Sequence, residues 1–346
     1  MTGPLALARR LPGILGKALL RPLAEPQTVL VFLLVNLLFA LVLAAPLAGL
    51  LSAELDHNLY GDEMATGASW RWFDTVGRKH PHALGDLAPW TALLSGDGVR
   101  LRDLARLSGP PAAIALAGLL LFFVHAVLHT GYLAAGRWRT AEGKTAGMLH
   151  RSALFALPAL GLAVLAAAGY AAVYAVAFVA TGPPLAHFAE AQQSHSLHLL
   201  LVGLRLGVTA LLVLAVKLWF DLAKAALVES GSWNLLRAAA RAAGELGRRG
   251  WAYALVAVVT GAGTALVAAV WLLVADPLVP RTWIGLAIVF VLHQVVLALR
   301  IVLRLAHLGA TQGLLLAAAR RPPARAPRGP ATGAPTPAAP APAPPA

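Results

Sequence analysis

The chain contains no cysteine, and few of its side chains carry a charge. The absence of cysteine from all 346 residues excludes disulfides and thiol chemistry. Only 12% of the residues are charged, whereas 59% are hydrophobic; soluble domains carry charge on about a quarter of their residues. So few polar side chains cannot cover a globule of this length, and the composition therefore predicts an integral membrane protein.

Acidic residues are scarce as well. The chain has 15 Asp and Glu against 28 Lys and Arg, which gives a formal net charge of +13. In a soluble protein such a balance suggests nucleic-acid binding. Here the basic residues are spread between apolar segments, so we expect them to contact anionic lipid headgroups at the inner membrane face, and we expect no nucleic-acid partner.

Motifs that carry enzyme chemistry are also missing. The sequence has no nucleophile elbow, phosphate-binding loop, HExxH or carboxylate pair. We therefore assign no catalytic residue, no cofactor and no metal ligand. Whether the protein is an enzyme stays open, and a non-enzymatic role is favoured.

Long apolar runs are what the sequence does contain. Crossing the hydrocarbon layer of about 30 Å takes about 20 helical residues, and lipid offers no partner for an unpaired backbone group. Six runs are long enough, and none alternates as a barrel strand does: 29–51, 111–133, 153–180, 197–220, 251–275 and 283–303. They predict an all-α, polytopic bundle of six transmembrane helices.

The basic residues predict the orientation of these helices. If the N-terminus is cytoplasmic, the two short outer loops, 181–196 and 276–282, contain Arg281 as their one basic residue. The inner segments then hold most of the Lys and Arg, so both termini are predicted to lie inside.

The chain divides around this transmembrane domain, predicted at 28–320. Residues 1–27 read as a basic amphipathic helix on the inner surface. The outer loop 52–109 reads as an extracytoplasmic cap, and 221–250 as a cytoplasmic amphipathic connector with Ser232 as a helix N-cap. The Pro/Ala-rich stretch 321–346 is predicted to be disordered.

Charged residues mark the end of the fourth apolar run. Lys217, Asp221 and Lys224 share one helical face. We expect them to mark the inner interface, with the lysines reaching the headgroups and Asp221 moderating the positive charge; an ion or proton relay is the alternative. Arg205 lies further into the same run and is expected to reach outwards or to pair with an acid such as Glu190.

A polar stripe runs along the sixth apolar segment. His293, Arg300 and His307 are seven residues apart, and Arg304 lies beside them. Ionisable residues inside a membrane suggest function. Two positions stay open for the stripe: it faces the bundle interior, or it meets Asp221 and Glu229 near the inner surface. Two roles stay open as well: packing and headgroup contact, or a substrate or anion path.

The second run places His125, His129 and Tyr132 on one face. Interhelical hydrogen bonds are the favoured interpretation. A metal site is the alternative, with His293 as third ligand if the second and sixth helices touch. In the fifth run, the small residues Gly261, Gly263 and Ala265 predict a close approach to a neighbouring helix.

Four stretches in this order carry a family resemblance: a first helix, "LDHNLYGDEMATG", "HTGYLAAGRWR" and "DLAKAALVESGSWNLLRAAARAAGELGRRGW". Over most of 29–316 the chain resembles a family of uncharacterised six-helix bacterial inner-membrane proteins. The last stretch is loosely similar to the membrane domain of some glycerophosphodiester phosphodiesterases. Family members tend to have a glycine pair where this chain has Thr130–Gly131. The resemblance implies a multi-pass protein of the bacterial cytoplasmic membrane, and no activity.

Three functions follow as hypotheses. The first is a non-enzymatic scaffold or auxiliary subunit in the bacterial envelope. The second is a transporter or lipid-handling protein that uses His293, Arg300 and Arg304. The third is a His-dependent membrane metalloenzyme. A polar cavity lined by His125, His293 and Arg300 would favour the second or third, whereas a dry bundle would favour the first.

Overall fold

The structure is a computed structural model that describes residues 4–55, 110–137, 144–181, 184, 187–188, 195–275 and 283–319. Nearly all of the predicted cap, 52–109, and the whole predicted disordered tail, 321–346, lie outside the described residues. Those two predictions therefore remain predictions.

Within these ranges the regular structure is entirely helical, as the hydropathy predicts. The helices are α1 (Pro4–Leu23), α2 (Pro26–Leu55), α3 (Pro110–Arg137), α4 (Lys144–Leu154), α5 (Ala156–Tyr174), α6 (His195–Ser230), α7 (Leu235–Ala275) and α8 (Trp283–Ala319). A π-helical turn, Ala175–Ala180, continues α5. The all-α fold class is confirmed.

Five helices are long and apolar enough to cross a membrane by themselves: α3, α5 with its π-helical turn, α6, α7 and α8. A sixth candidate exists if α1 and α2, which meet at 71°, are taken as one bent span. Pro26, which lacks a backbone N–H, begins α2 just after this bend. The chain is thus a helical bundle with five or six candidate spans, while the number six and the orientation stay predictions.

Burial is concentrated at one end of the bundle. Residues 128–134 of α3, 221–228 of α6 and nearly all of 305–315 of α8 are buried; we call this region the packed end. Helix α1 lies across it, with Ala18 buried and in close contact with Gly309 of α8. Few or no residues are buried in the most apolar stretches of α6, α7 and α8 on the described chain, as expected of side chains that face lipid.

Helix boundaries differ from the predicted connector, 221–250, at its start, while α7 is kinked near its end, at Arg249, where the backbone φ of −140° is not helical. Helix α6 continues to Ser230, so the first ten residues of that segment are its end, most of it buried. Gly231, with a φ of 60°, makes the turn into α7. The predicted helix N-cap, Ser232, is wrong. The Asn234 side chain accepts the hydrogen bond from the Arg237 backbone N–H, at 2.9 Å.

Candidate functional site

A buried carboxylate, that of Asp221, is the centre of the polar residues in the bundle. Arg304 of α8 donates two hydrogen bonds of 2.7 Å, one to each Asp221 oxygen. The Lys224 ammonium lies 2.8 Å from Asp221 Oδ1 and 4.2 Å from the centre of the Phe220 ring. A buried carboxylate is tolerated only when cations and hydrogen bonds compensate its desolvation, and here both are supplied.

His307 joins the same cluster from α8. Its Nε2 atom lies 3.3 Å from Asp221 Oδ2, and its Nδ1 atom lies 3.1 Å from the Thr260 hydroxyl of α7. Three helices are therefore connected through one carboxylate. Sequence patterning placed His307 on the polar stripe but gave no indication that Thr260 would be its partner.

The expectation that Lys224 reaches the headgroups is wrong, because the side chains of Asp221 and Lys224 are both fully buried. Helix α6 continues past this point and is surrounded by protein, so neither side chain reaches a lipid surface. Lys217 differs: its ammonium is 3.7 Å from Asp221 Oδ2, and its side chain is 38% exposed.

A cavity of about 810 Å³ opens beside this cluster, between α2, α3, α6, α7 and α8. Its cationic lining residues are Lys217, Arg300 and Arg304. Arg300 has no acidic partner among the described residues. Since Asp221 balances one positive charge, the cavity carries a positive surplus.

Two histidines form another part of the cavity wall. The rings of His125 and His129 are 5.4 Å apart, and Phe32 of α2 stacks on His129 at 5.3 Å. Within the described chain, the buried Nε2 atom of His125 has no hydrogen-bond partner. Both histidines therefore belong to the candidate site.

The residues of the polar stripe of α8 lie in different surroundings. Arg304 meets Asp221, one of the two alternatives left open for the stripe, and Arg300 lines the cavity. His293 does not line it; its ring lies against Trp271, at 5.4 Å and in an edge arrangement. The suggested metal site with His293 is not formed, because no three His, Asp or Glu side chains converge in the described residues.

Glu229 does not meet the α8 stripe at its arginines. Its carboxylate lies 3.2 Å from Arg137 of α3 and accepts a hydrogen bond of 3.0 Å from Gln312 of α8. Gln312 also donates to the Leu133 carbonyl at 3.2 Å. These contacts fasten the packed end beyond the cavity. An amide side chain in a largely apolar helix was the available signal for Gln312.

Arg205 lies apart from the cavity. Its Nε donates to the Ala177 carbonyl at 2.7 Å, and its guanidinium lies 4.5 Å from the centre of the Phe178 ring. A π-helical turn disturbs the regular backbone pairing, and Arg205 hydrogen-bonds a carbonyl there. Glu190, the predicted partner, lies outside the described residues.

The small residues of α7 have two different roles. A Cβ at Gly263 would lie 3.3 Å from Leu303, which is the predicted close approach to α8. A Cβ at Gly261 would meet nothing within 4 Å, and Gly261 and Ala265 line the cavity. Part of the predicted contact surface is therefore a cavity wall.

No family model, curated protein or solved structure matches this chain.

Proposed function

We propose that this protein binds an anion in the cavity and acts in transport or in lipid handling. The observation that carries the proposal is the surplus of positive charge around the cavity. Lys217, Arg300 and Arg304 line it, and Asp221 is the one carboxylate at its edge among the described residues.

Cations in the hydrocarbon are costly unless counter-ions compensate them, and cations at its boundary attract anionic groups. Arg304 is compensated by Asp221, to which Lys224 is also bound. Arg300 has no such partner within the described chain, and Lys217 is only 3.7 Å from a carboxylate that Arg304 already engages. An anionic ligand would supply the missing negative charge.

The size of the cavity supports a ligand larger than a simple ion. Sites for small molecules range from about 300 to 1,000 Å³, and this cavity has about 810 Å³. A dry bundle without a polar cavity would have favoured the scaffold hypothesis. His125 and Arg300 line the cavity although His293 does not, which favours transport or lipid handling over the scaffold hypothesis. The third hypothesis, a metalloenzyme, has no converging donor set within the described residues to support it.

The cellular setting is part of the same proposal. We place the protein in the bacterial cytoplasmic membrane with both termini inside, and its resemblance to the six-helix inner-membrane family agrees with this. The distribution of Lys and Arg around the apolar runs supports the orientation.

Ligand-dependent stabilisation of purified protein tests the proposal. In neutral detergent at fixed ionic strength, a panel of inorganic phosphate, acetate and dioctanoyl phosphatidic acid should include at least one anion that raises Tm by mass action. Arg300→Gln should abolish that rise. Arg248→Gln removes the same charge from an exposed position on α7 and should keep it. Equal responses of the two variants, or no response of the wild type, would contradict the proposal.

A further inference from the structure

We infer that the ligand is an amphiphile with a phosphate monoester, a membrane lipid whose phosphate lies at Lys217 and Arg300 and whose acyl chain follows the wall of α7. This deepens the proposed function and rests on it. Three observations carry the inference: the depth of the cations, the change of polarity along the cavity, and the open space at Gly261.

The first observation is depth. The candidate spans of α8 and α6 begin at Ile284 and Leu199. At 1.5 Å per residue, Arg300 lies about 24 Å and Arg304 about 30 Å from the first of these, and Lys217 lies about 27 Å from the second. With the start of each span at one boundary of a hydrocarbon layer about 30 Å thick, the three cations lie close to the other boundary. The phosphates of that lipid leaflet occupy the same level.

The second observation is polarity along the cavity. Near the boundary the lining includes Lys217, Arg304 and His307. Towards the membrane centre it includes Ala265 and Ala268 of α7 and Leu297 of α8, with Thr264 as a polar neighbour on α7. From Thr260 to Ala268 this wall extends about 12 Å. A cationic end at the boundary and an apolar end in the hydrocarbon match the orientation of a lipid in that leaflet.

The third observation is the unfilled wall of α7. Gly263 packs against Leu303, whereas the space beside Gly261 is empty to 4 Å. Gly261 therefore widens the cavity instead of tightening the contact with α8. The opening lies directly beyond Thr260, at the cationic end, where the first part of an acyl chain would pass.

The charge of the cavity selects the headgroup. After Arg304 is paired with Asp221, Lys217 and Arg300 remain as the cavity's surplus cations. A phosphate monoester, which carries up to two negative charges, can neutralise both cations. A carboxylate carries one negative charge and leaves one cation without a counter-ion. Free phosphate shares this chemistry, but it would leave most of the cavity of about 810 Å³ unfilled.

Binding of three matched probes tests the inference: inorganic phosphate, dioctanoyl phosphatidic acid and dioctanoyl glycerol. Each Kd is taken from the ligand dependence of Tm in neutral detergent. The phosphatidic acid should bind at least tenfold more tightly than either of the other two. Gly261→Leu should weaken phosphatidic acid at least tenfold and leave inorganic phosphate unchanged.

Gly207→Leu is the matched control, because Gly207 is an exposed helical glycine of α6 that meets nothing within 4 Å and does not line the cavity. It should bind all three probes as the wild type does. Ala268→Leu, which fills the apolar end, repeats the test if Gly261→Leu does not fold.

The outcomes separate this inference from the proposed function. Equal affinity for inorganic phosphate and phosphatidic acid, both lost in Arg300→Gln, would overturn the lipid inference and leave the anion site intact. Dioctanoyl glycerol binding as tightly as phosphatidic acid would also overturn it. Absence of any binding that depends on Arg300 would reject both.

Discussion

Arg304 and Asp221 form a bidentate ion pair between α8 and α6, with both hydrogen bonds at 2.7 Å. Lys224 and His307 converge on the same carboxylate. Asp221 is thus the internal counter-ion that fixes the level at which these two helices meet. Arg300 lies one helical turn from Arg304 on α8 and has no equivalent partner in the described chain. The cluster therefore separates a structural arginine from one that is available to a ligand.

Replacing Asp221 by asparagine should destabilise the protein strongly. Removing one partner of a buried ion pair typically costs about 3–5 kcal/mol, because the other charges stay buried without compensation. Here Arg304 and Lys224 would both lose their carboxylate. Thermal unfolding in detergent should show a large fall in Tm for Asp221→Asn.

Glu245→Gln is the control for that change. Glu245 pairs with Arg249 at the kink of α7, at 3.2 Å and partly exposed, so its loss should cost less than about 0.5 kcal/mol. If Asp221→Asn were no more destabilising than Glu245→Gln, the central role of the buried carboxylate would be wrong.

Arg304 and Arg300 should respond differently to the same substitution. Arg304→Gln removes two charge-assisted hydrogen bonds and should cost about 2–3 kcal/mol in the free energy of unfolding. Arg300→Gln breaks no hydrogen bond or ion pair within the described protein and should stay within about 0.5 kcal/mol, while it abolishes stabilisation by the anion. Unfolding curves with and without ligand measure both quantities. Similar losses of stability in the two variants would contradict this division.

The sequence predicts the helices well because hydropathy reports what each segment needs as its solvent. It does not predict where burial continues. Asp221 and Lys224 lie past the apolar run, where a surface position was the natural expectation, yet α1 and its neighbours enclose that end of the bundle.

Partners between helices were predicted only in part. Its spacing placed Arg304 on the polar stripe, for which contact with Asp221 was one alternative. Nothing in the local sequence indicated that Arg137 would form an ion pair with Glu229 or that Gln312 would donate a hydrogen bond to it. Gly261 and Gly263 look equivalent in the sequence. The position of α8 decides that Gly263 packs against Leu303 and that Gly261 borders a cavity.

Gly131 should not tolerate a side chain. A Cβ there would collide with the Ser152 hydroxyl and lie 2.8 Å from the Met148 carbonyl oxygen of α4. Gly131→Ala should therefore destabilise the protein by about 1–3 kcal/mol. Adding Ser152→Ala should restore only part of the loss, because the backbone carbonyl of Met148 remains. Chemical or thermal unfolding of the single and double variants measures the difference.

Gly118→Ala is the matched substitution on the same helix, where a new Cβ meets nothing within 4 Å. It should be neutral or stabilise the protein by up to about 1 kcal/mol, as alanine does in a helix. A loss of stability equal to that of Gly131→Ala would show that helix α3 responds to any alanine, and that the contact with α4 is not the cause.

Labelling of introduced cysteines tests the orientation, and the absence of native cysteine makes each label unambiguous. His150 of α4 and Phe188 between α5 and α6 are both exposed, and the Lys and Arg distribution predicts that they lie on opposite sides of the membrane. In intact cells a membrane-impermeant maleimide should label Phe188→Cys and should label His150→Cys only after permeabilisation. Labelling of both in intact cells, or of neither, would place α4 and residue 188 on one side, so that the helix α5 between them would not cross the bilayer. Labelling of His150→Cys alone would invert the orientation and place the packed end outside.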